Sequence, residues 1–292
     1  MARTWTLAGV AVLCLSVVVP GGAEVPGGHG ALAEIEQFPY SAAVLRMNSY
    51  VSAGALVGDR WVITAADGLY LVRESVRLLR VRLGSVNYKT GGSLLPVQYL
   101  RLHPYFDDAR PQYDVALLRL ARPAAGLPRV RSVRLLKRPR EITATHFIVT
   151  AWSPYYAREM RGDPLPSSVE LVRRSRLLEA RQAHPLDSAE CRRLQHHLGL
   201  GDAPGLMCLE PMPGTDSCKR DAGAPVVLNG VLWAVESSWR GGAGAGGGAG
   251  DRRCSAGLAN LLAAPNVSSW IDAVMRDLHW KLTTEIDQDN FI

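Results

Sequence analysis

The sequence predicts an all-β fold, a sandwich or barrel, closed by one C-terminal helix. Three observations predict it: short segments of period-two alternation, turn clusters between them, and the lack of any βαβ rhythm. In Leu79–Leu83 the leucines and Val81 fall on one face, with Arg80 and Arg82 on the other, as a half-buried strand requires. Comparable runs cover 55–64, 115–120, Phe147–Ala151, 169–174, Pro225–Leu228 and 231–235, separated by Gly, Pro, Asp and Asn. Helical spacing is convincing only near the end, where Val267, Trp270, Ile271, Val274, Leu278 and Leu282 follow Asn266 as cap. Residues beyond it form a polar tail with no packing pattern.

The 292 residues, 47% hydrophobic and 21% charged, exclude intrinsic disorder and fibrous repeats. The net charge is +6, and only four of the 33 basic residues are lysines (Lys89, Lys137, Lys219, Lys281). That arginine bias suits fixed contacts with carboxylate, sulfate or phosphate. Residues 1–23 read as a secretory signal peptide: Arg3 precedes an apolar run, and Gly21, Gly22 and Ala23 supply small residues for cleavage. Pro20 cuts the run below the roughly 20 apolar residues that a membrane anchor needs, and no second stretch is long enough to span a bilayer. Cys14 leaves with the signal. Cys191, Cys208, Cys218 and Cys254 remain, an even set that predicts two disulfides in an oxidising compartment, with three pairings open. Asn266-Val-Ser is an acceptor triplet for N-glycosylation.

Two composition shifts interrupt the strands. Residues 129–140 carry Arg129, Arg131, Arg134, Lys137, Arg138 and Arg140, a stretch suited either to linking two half-domains or to binding an anion. Residues 241–250 contain only glycine and alanine and read as a loop insertion. No metal is expected, because the His196-His197 pair lacks a carboxylate or cysteine at ligand spacing.

Three motifs carry a family resemblance. W-V-I-T-A-A-D-G at 61–68 resembles the W-V-L-T-A-A-H-C segment of trypsin-like serine proteases. Y-D-V-A-L-L at 113–118 resembles their D-I-A-L-L, and D-S-C-K-R-D-A-G-A-P at 216–225 resembles D-S-C-x-G-D-S-G-G-P. Phe38-Pro39-Tyr40, His103-Pro104, Ala151-Trp152, Ser238-Trp239 and Trp270-Ile271 match further landmarks in order. The resemblance implies a domain over 24–281: two six-stranded antiparallel barrels, about 25–134 and 135–265, then a helix over 266–281 and a tail over 282–292.

It also implies a degenerate site. The family needs a hydroxyl nucleophile, an imidazole base and a carboxylate to hold the imidazole. The matching positions are Ala222, Asp67 and Asp114, so only the carboxylate is kept. Asp114 is expected to accept hydrogen bonds from backbone and from Ser238. Arg220 stands at the oxyanion glycine, Asp216 at the base of the specificity pocket, and Arg240 at a wall where the family has glycine. Arg240 is expected to neutralise Asp216, and Arg220 or Lys219 to pair with the two site acids. Asp221 matches the partner of the mature N-terminus, here Val25-Pro-Gly-Gly, which no Arg or Lys precedes.

The resemblance selects Cys191–Cys208 and Cys218–Cys254 as the bridges. Ser52 with Gly68, and Phe147 with Leu228, occupy two further family bridges lost as whole pairs. The implied function is a secreted, extracellular, non-catalytic homolog without cofactor, of the granule-stored kind if its terminus is trimmed to Val25. Its partners would be a protease-cascade member or inhibitor, or a polyanion such as a heparin-like glycan or microbial surface, and not nucleic acid. Arg80, Arg82, the 129–140 cations, Arg173, Arg174 and Arg176 are the polyanion-binding candidates, with dispersed solubilising charge as the alternative. The competing enzyme class is a weakly active endopeptidase with trypsin-like specificity using non-standard site chemistry, with Asp67 and Asp114 as an acid pair one form of it.

Overall fold

The computed structural model describes residues 31–152, 173, 175–210, 222–239 and 257–276. Its fold is mostly β: a closed six-stranded barrel, a second sheet, and a short C-terminal helix.

The barrel is built from β2 (Ser41–Arg46), β3 (Ser49–Leu56), β4 (Trp61–Thr64), β5 (Leu79–Leu83), β6 (Ser93–Leu102) and β7 (Ala116–Leu120). They close in the order β2-β3-β4-β7-β6-β5, every pair antiparallel. Alternation in β5 is as the sequence predicts, with Leu79, Val81 and Leu83 inside and Arg80 and Arg82 half-buried. The run 55–64 is not one strand. Residues 57–60 turn, with the Val57 amide donating to Trp61 O at 2.9 Å, and the halves belong to β3 and β4. Val44, Leu56, Val62, Leu69, Leu95 and Leu118 fill the interior with other aliphatic side chains.

The second sheet begins with the first described strand, β1 (Ala31–Leu32), which pairs with β10 (Glu179–Ala183). From β10 it runs through β9 (Phe147–Ala151), β12 (Pro225–Leu228), β13 (Val231–Glu236) and β14 (Gly257–Leu261) to β11 (Leu206–Leu209). The ends of this six-strand path meet. Pro185 and Leu209 form an antiparallel bridge, flanked by Leu186 N–H to Cys208 O at 2.9 Å and Glu210 N–H to His184 O at 2.8 Å. Phe147 is fully buried and meets Trp233 edge-on at 5.5 Å, in the same cluster as Leu228. Apolar volume thus fills the place where the family resemblance implies a second bridge.

The basic stretch links the two halves: Val133 N–H bonds Leu56 O in the barrel at 2.8 Å, and β8 (Arg134–Leu135) joins β13 in parallel. A shared core of Phe38, Ile63, Val115, Leu117, Val227, Leu232 and Val235 lies between them and receives Val267 and Ile271 of the last helix.

That helix, α3 (Pro265–Met275), starts one residue earlier than expected and corrects the cap. Ala264 is the N-cap, Pro265 occupies the first turn, and Asn266 lies inside, its amide donating to Tyr113 Oη at 3.3 Å. Proline at the first helical position needs no N–H partner, so a side-chain cap is dispensable. Residues 277–281 lie outside the described residues. Among the elements described in full, two further helices escape the sequence reading: α1 (Asp67–Tyr70) and α2 (Ser188–His197). The second is capped by Asp187, whose carboxylate accepts from the Ala189 and Glu190 amides at 2.8 Å. Cys191 and Cys208 are disulfide-bonded, fastening α2 to β11. Cys218, Cys254 and residues 241–250 lie outside the described residues. No described helix is long and apolar enough to cross a membrane.

Candidate functional site

Asp114 lies just before β7 and is 1% exposed. Both of its oxygens are occupied: Oδ1 accepts from the Asp67 backbone N–H at 2.8 Å, and Oδ2 from the Ser237 hydroxyl at 2.6 Å. This corrects the expected partner. Ser237, not Ser238, bonds Asp114, while the Ser238 hydroxyl donates to Asp67 Oδ2. The two adjacent serines follow the end of β13, and each bonds a different acid.

Burial pushes the Asp114 carboxyl up to about 6. The bonds from Ser237 and the Asp67 amide pull it down, and the nearby Asp67 carboxylate adds to the rise. Tyr113, immediately before it, holds φ at 61°, a left-handed conformation that costs a bulky residue energy and persists only where the surroundings enforce it. Its ring stacks on His103 at 4.8 Å, with Trp270 edge-on to His103 at 4.9 Å. His103 itself is 3% exposed and burial lowers its pKa, so it serves as packing.

The loop at the nucleophile position crosses between the two halves. Ala222 is 2% exposed, and its carbonyl accepts from the Ala53 N–H of β3 at 2.9 Å. Gly223 follows at φ +74°. A Cβ there would come within 2.4 Å of Ala53 O and 2.7 Å of Ala65 N, so only glycine fits. Gly223 N–H and Ala224 O bond the backbone of Glu236 at 2.8 and 3.0 Å. The Glu236 side chain is buried in an ion pair with Arg181. Sequence reading missed Ser237, Gly223 and this pair, although an acid in the otherwise apolar run V-L-W-A-V-E was a legible signal.

The structure therefore brings together Asp67, Asp114 and the Ala222 loop. Asp216, Lys219, Arg220, Asp221 and Arg240 lie outside the described residues. So do Val25 and Arg174.

Ser52 and Gly68, where the family resemblance implies a bridge, lie at bridging distance. A Cβ on Gly68 would lie 3.7 Å from Ser52 Cβ, the separation of a disulfide. The Ser52 hydroxyl meets Thr64 Oγ1 at 2.9 Å instead.

The basic candidates do not form a set of equals. Arg82 is withdrawn from it: its guanidinium donates to the carbonyls of Tyr88 at 2.8 Å, Lys89 at 3.1 Å and Gly91, ordering the turn after β5. Arg80 donates to Arg77 O and Leu79 O at 2.7 and 2.8 Å. Arg129 faces Glu36 at 3.9 Å. Arg131 and Arg173 are exposed, and Arg176 is half-buried. By contrast, Arg134, Lys137, Arg138 and Arg140 line one groove of about 400 Å³. His196 meets Asp202 at 3.0 Å, and no third metal donor joins them among the described residues.

The trypsin family model matches residues 28–253. Hypodermin-B of Hypoderma lineatum is 28% identical over 236 residues, covering 77% of this chain and 86% of its own. Trypsin of Sarcophaga bullata is 26% identical over 252 residues, covering 86% and 89%. Trypsin epsilon of Drosophila erecta is 25% identical over 285 residues, covering 95% and 100%. Neuropsin of mouse brain, a serine protease, shares the fold with a TM-score of 0.61 at 21% identity, over 84% of this chain and 98% of that one. With the motif order, the barrel and the family match in agreement, the chain belongs to the trypsin family of serine proteases.

Proposed function

We propose that this chain is a secreted, non-catalytic member of its family that acts by binding a protein partner or a polyanionic surface. One observation carries the reading: the nucleophile position holds Ala222 and the base position holds Asp67. A methyl group cannot attack a carbonyl. An aspartate hydrogen-bonded to Ser238 offers no imidazole to accept and return a proton. In a model protease, loss of such a group costs on the order of 10⁶ in turnover.

An acid-pair hydrolase has one observation in its favour, the raised Asp114 carboxyl. Against it, both Asp114 oxygens accept protein hydrogen bonds, which leaves poor access for a water to be activated. Secretion rests on the N-terminal signal pattern. The family of binding partners rests on the basic groove and on the preserved frame of a protease surface.

Incubating the mature protein with an active-site-directed phosphonate tests the first part. No covalent adduct is expected, whereas stoichiometric labelling overturns the reading. Cleavage of an Arg-amide substrate that disappears in Asp67→Asn would instead establish the acid-pair hydrolase. Retention on heparin at high salt, reduced by Arg138→Glu with Arg140→Glu, supports the polyanion; flow-through near physiological salt removes it.

A further inference from the structure

The groove lined by Arg134, Lys137, Arg138 and Arg140 has an apolar side as well as a cationic one. Leu135, Leu136, Leu228, Val231 and Trp233 complete its lining with Asn229, and no carboxylate is among these residues. Such a site asks for a ligand carrying several negative charges and at least one apolar group. Helix α3 runs beside it, since Asp272 lies 3.6 Å from Lys137.

Residues 283–292 read T-T-E-I-D-Q-D-N-F-I, with Glu285, Asp287 and Asp289 and no Lys or Arg. The acids alternate. In an extended chain they share one face with Phe291, spaced about 7 Å from one to the next.

Reach is not a constraint. From Asp272, one helical turn leads to Arg276, and residues 277–282 span about 20 Å when extended. We infer that residues 283–292 of this same chain dock in the groove, with Glu285, Asp287 and Asp289 on the arginines and lysine and Phe291 on the apolar side. The assignment concerns a contact within the chain and stands whether or not the protein binds an outside partner. If it does, the tail competes with that partner for the same cations.

Nitroxide labels on Ser132→Cys, an exposed position beside Arg134, and on Gln288→Cys read the contact in the full chain through their distance distribution. A single short distance is expected at low salt. It should be lost when Glu285, Asp287 and Asp289 become lysine, lost again with Arg138→Glu and Arg140→Glu, and restored when both sets are reversed together. Near-ultraviolet circular dichroism confirms that each variant is folded. A broad distribution in the otherwise native chain overturns the proposal, as does a short distance indifferent to both charge reversals. A short distance that vanishes on dilution with unlabelled protein also overturns it, placing the tail on a second copy. Phosphonate labelling is unaffected by any of these results, so failure here is distinguishable from failure of the proposed function.

Discussion

Each half of the molecule holds a residue pair where the family resemblance implies a bridge, and the two halves fill that place differently. In the first barrel a hydroxyl pair, Ser52 and Thr64, stands there, while every strand is paired on both sides around a closed ring. In the second sheet the place holds the ring of Phe147 against Trp233, and its path closes through one isolated bridge supported by the Cys191–Cys208 disulfide at its edge. In the closed ladder the place is taken by polar groups that satisfy each other, and in the sheet fastened at its ends by close-packed apolar volume.

If that contrast holds, the largest effect belongs to the loop where the halves meet. Gly223→Ala forces a methyl into backbone atoms of the barrel at a left-handed φ, and the expected cost is above about 4 kcal/mol by denaturant unfolding. A stable variant would show that the loop is not clamped by the barrel.

Phe147→Ala probes the second sheet alone and should cost about 4 kcal/mol, whereas Ser52→Ala in the barrel should cost about 1 kcal/mol. Equal costs would erase the distinction between the halves.

Asp114 gives a test by pH. Its folded carboxyl titrates near 6 against an ordinary 3.8, so between those values the folded chain holds a proton that the unfolded chain releases. The contribution is fully present below about pH 4 and is lost as pH rises through 6, a change of about 3 kcal/mol. Asp114→Asn should flatten that slope in thermal unfolding, and an unchanged slope would assign it elsewhere.

One expected effect is a gain. Ser52→Cys with Gly68→Cys should form a bridge without backbone movement and add about 2 kcal/mol, the loop-closure gain less the lost hydroxyl bond. Failure to oxidise would show that the barrel end has shifted.

Much of this was legible in the sequence where alternation or a bounded apolar run marks a strand. The alternation in β5 gives its bounds directly, and Phe147–Ala151 and Pro225–Leu228 are likewise as predicted. β6 was not, because Pro96 interrupts a run that the barrel nonetheless accommodates opposite Arg80. α2 was hidden because its buried face is made by Cys191 and Gln195, residues that do not register as apolar periodicity. The site residues Asp67, Asp114 and Ala222 could be placed from motif order, but the choice between Ser237 and Ser238 depends on how the chain leaves β13, which spacing does not encode. Arg82 shows the same limit for charge: composition counts a cation, and only the fold reveals that three carbonyls surround it.

None of the 292-residue chain's five cysteines falls between residues 15 and 190, so the whole first barrel is free of thiols. Its closure therefore requires no oxidant, and as the earlier part of the chain it is synthesised first. Reduction of the described disulfide would therefore unfasten α2 from β11 in the second half and leave every covalent feature of the barrel unchanged.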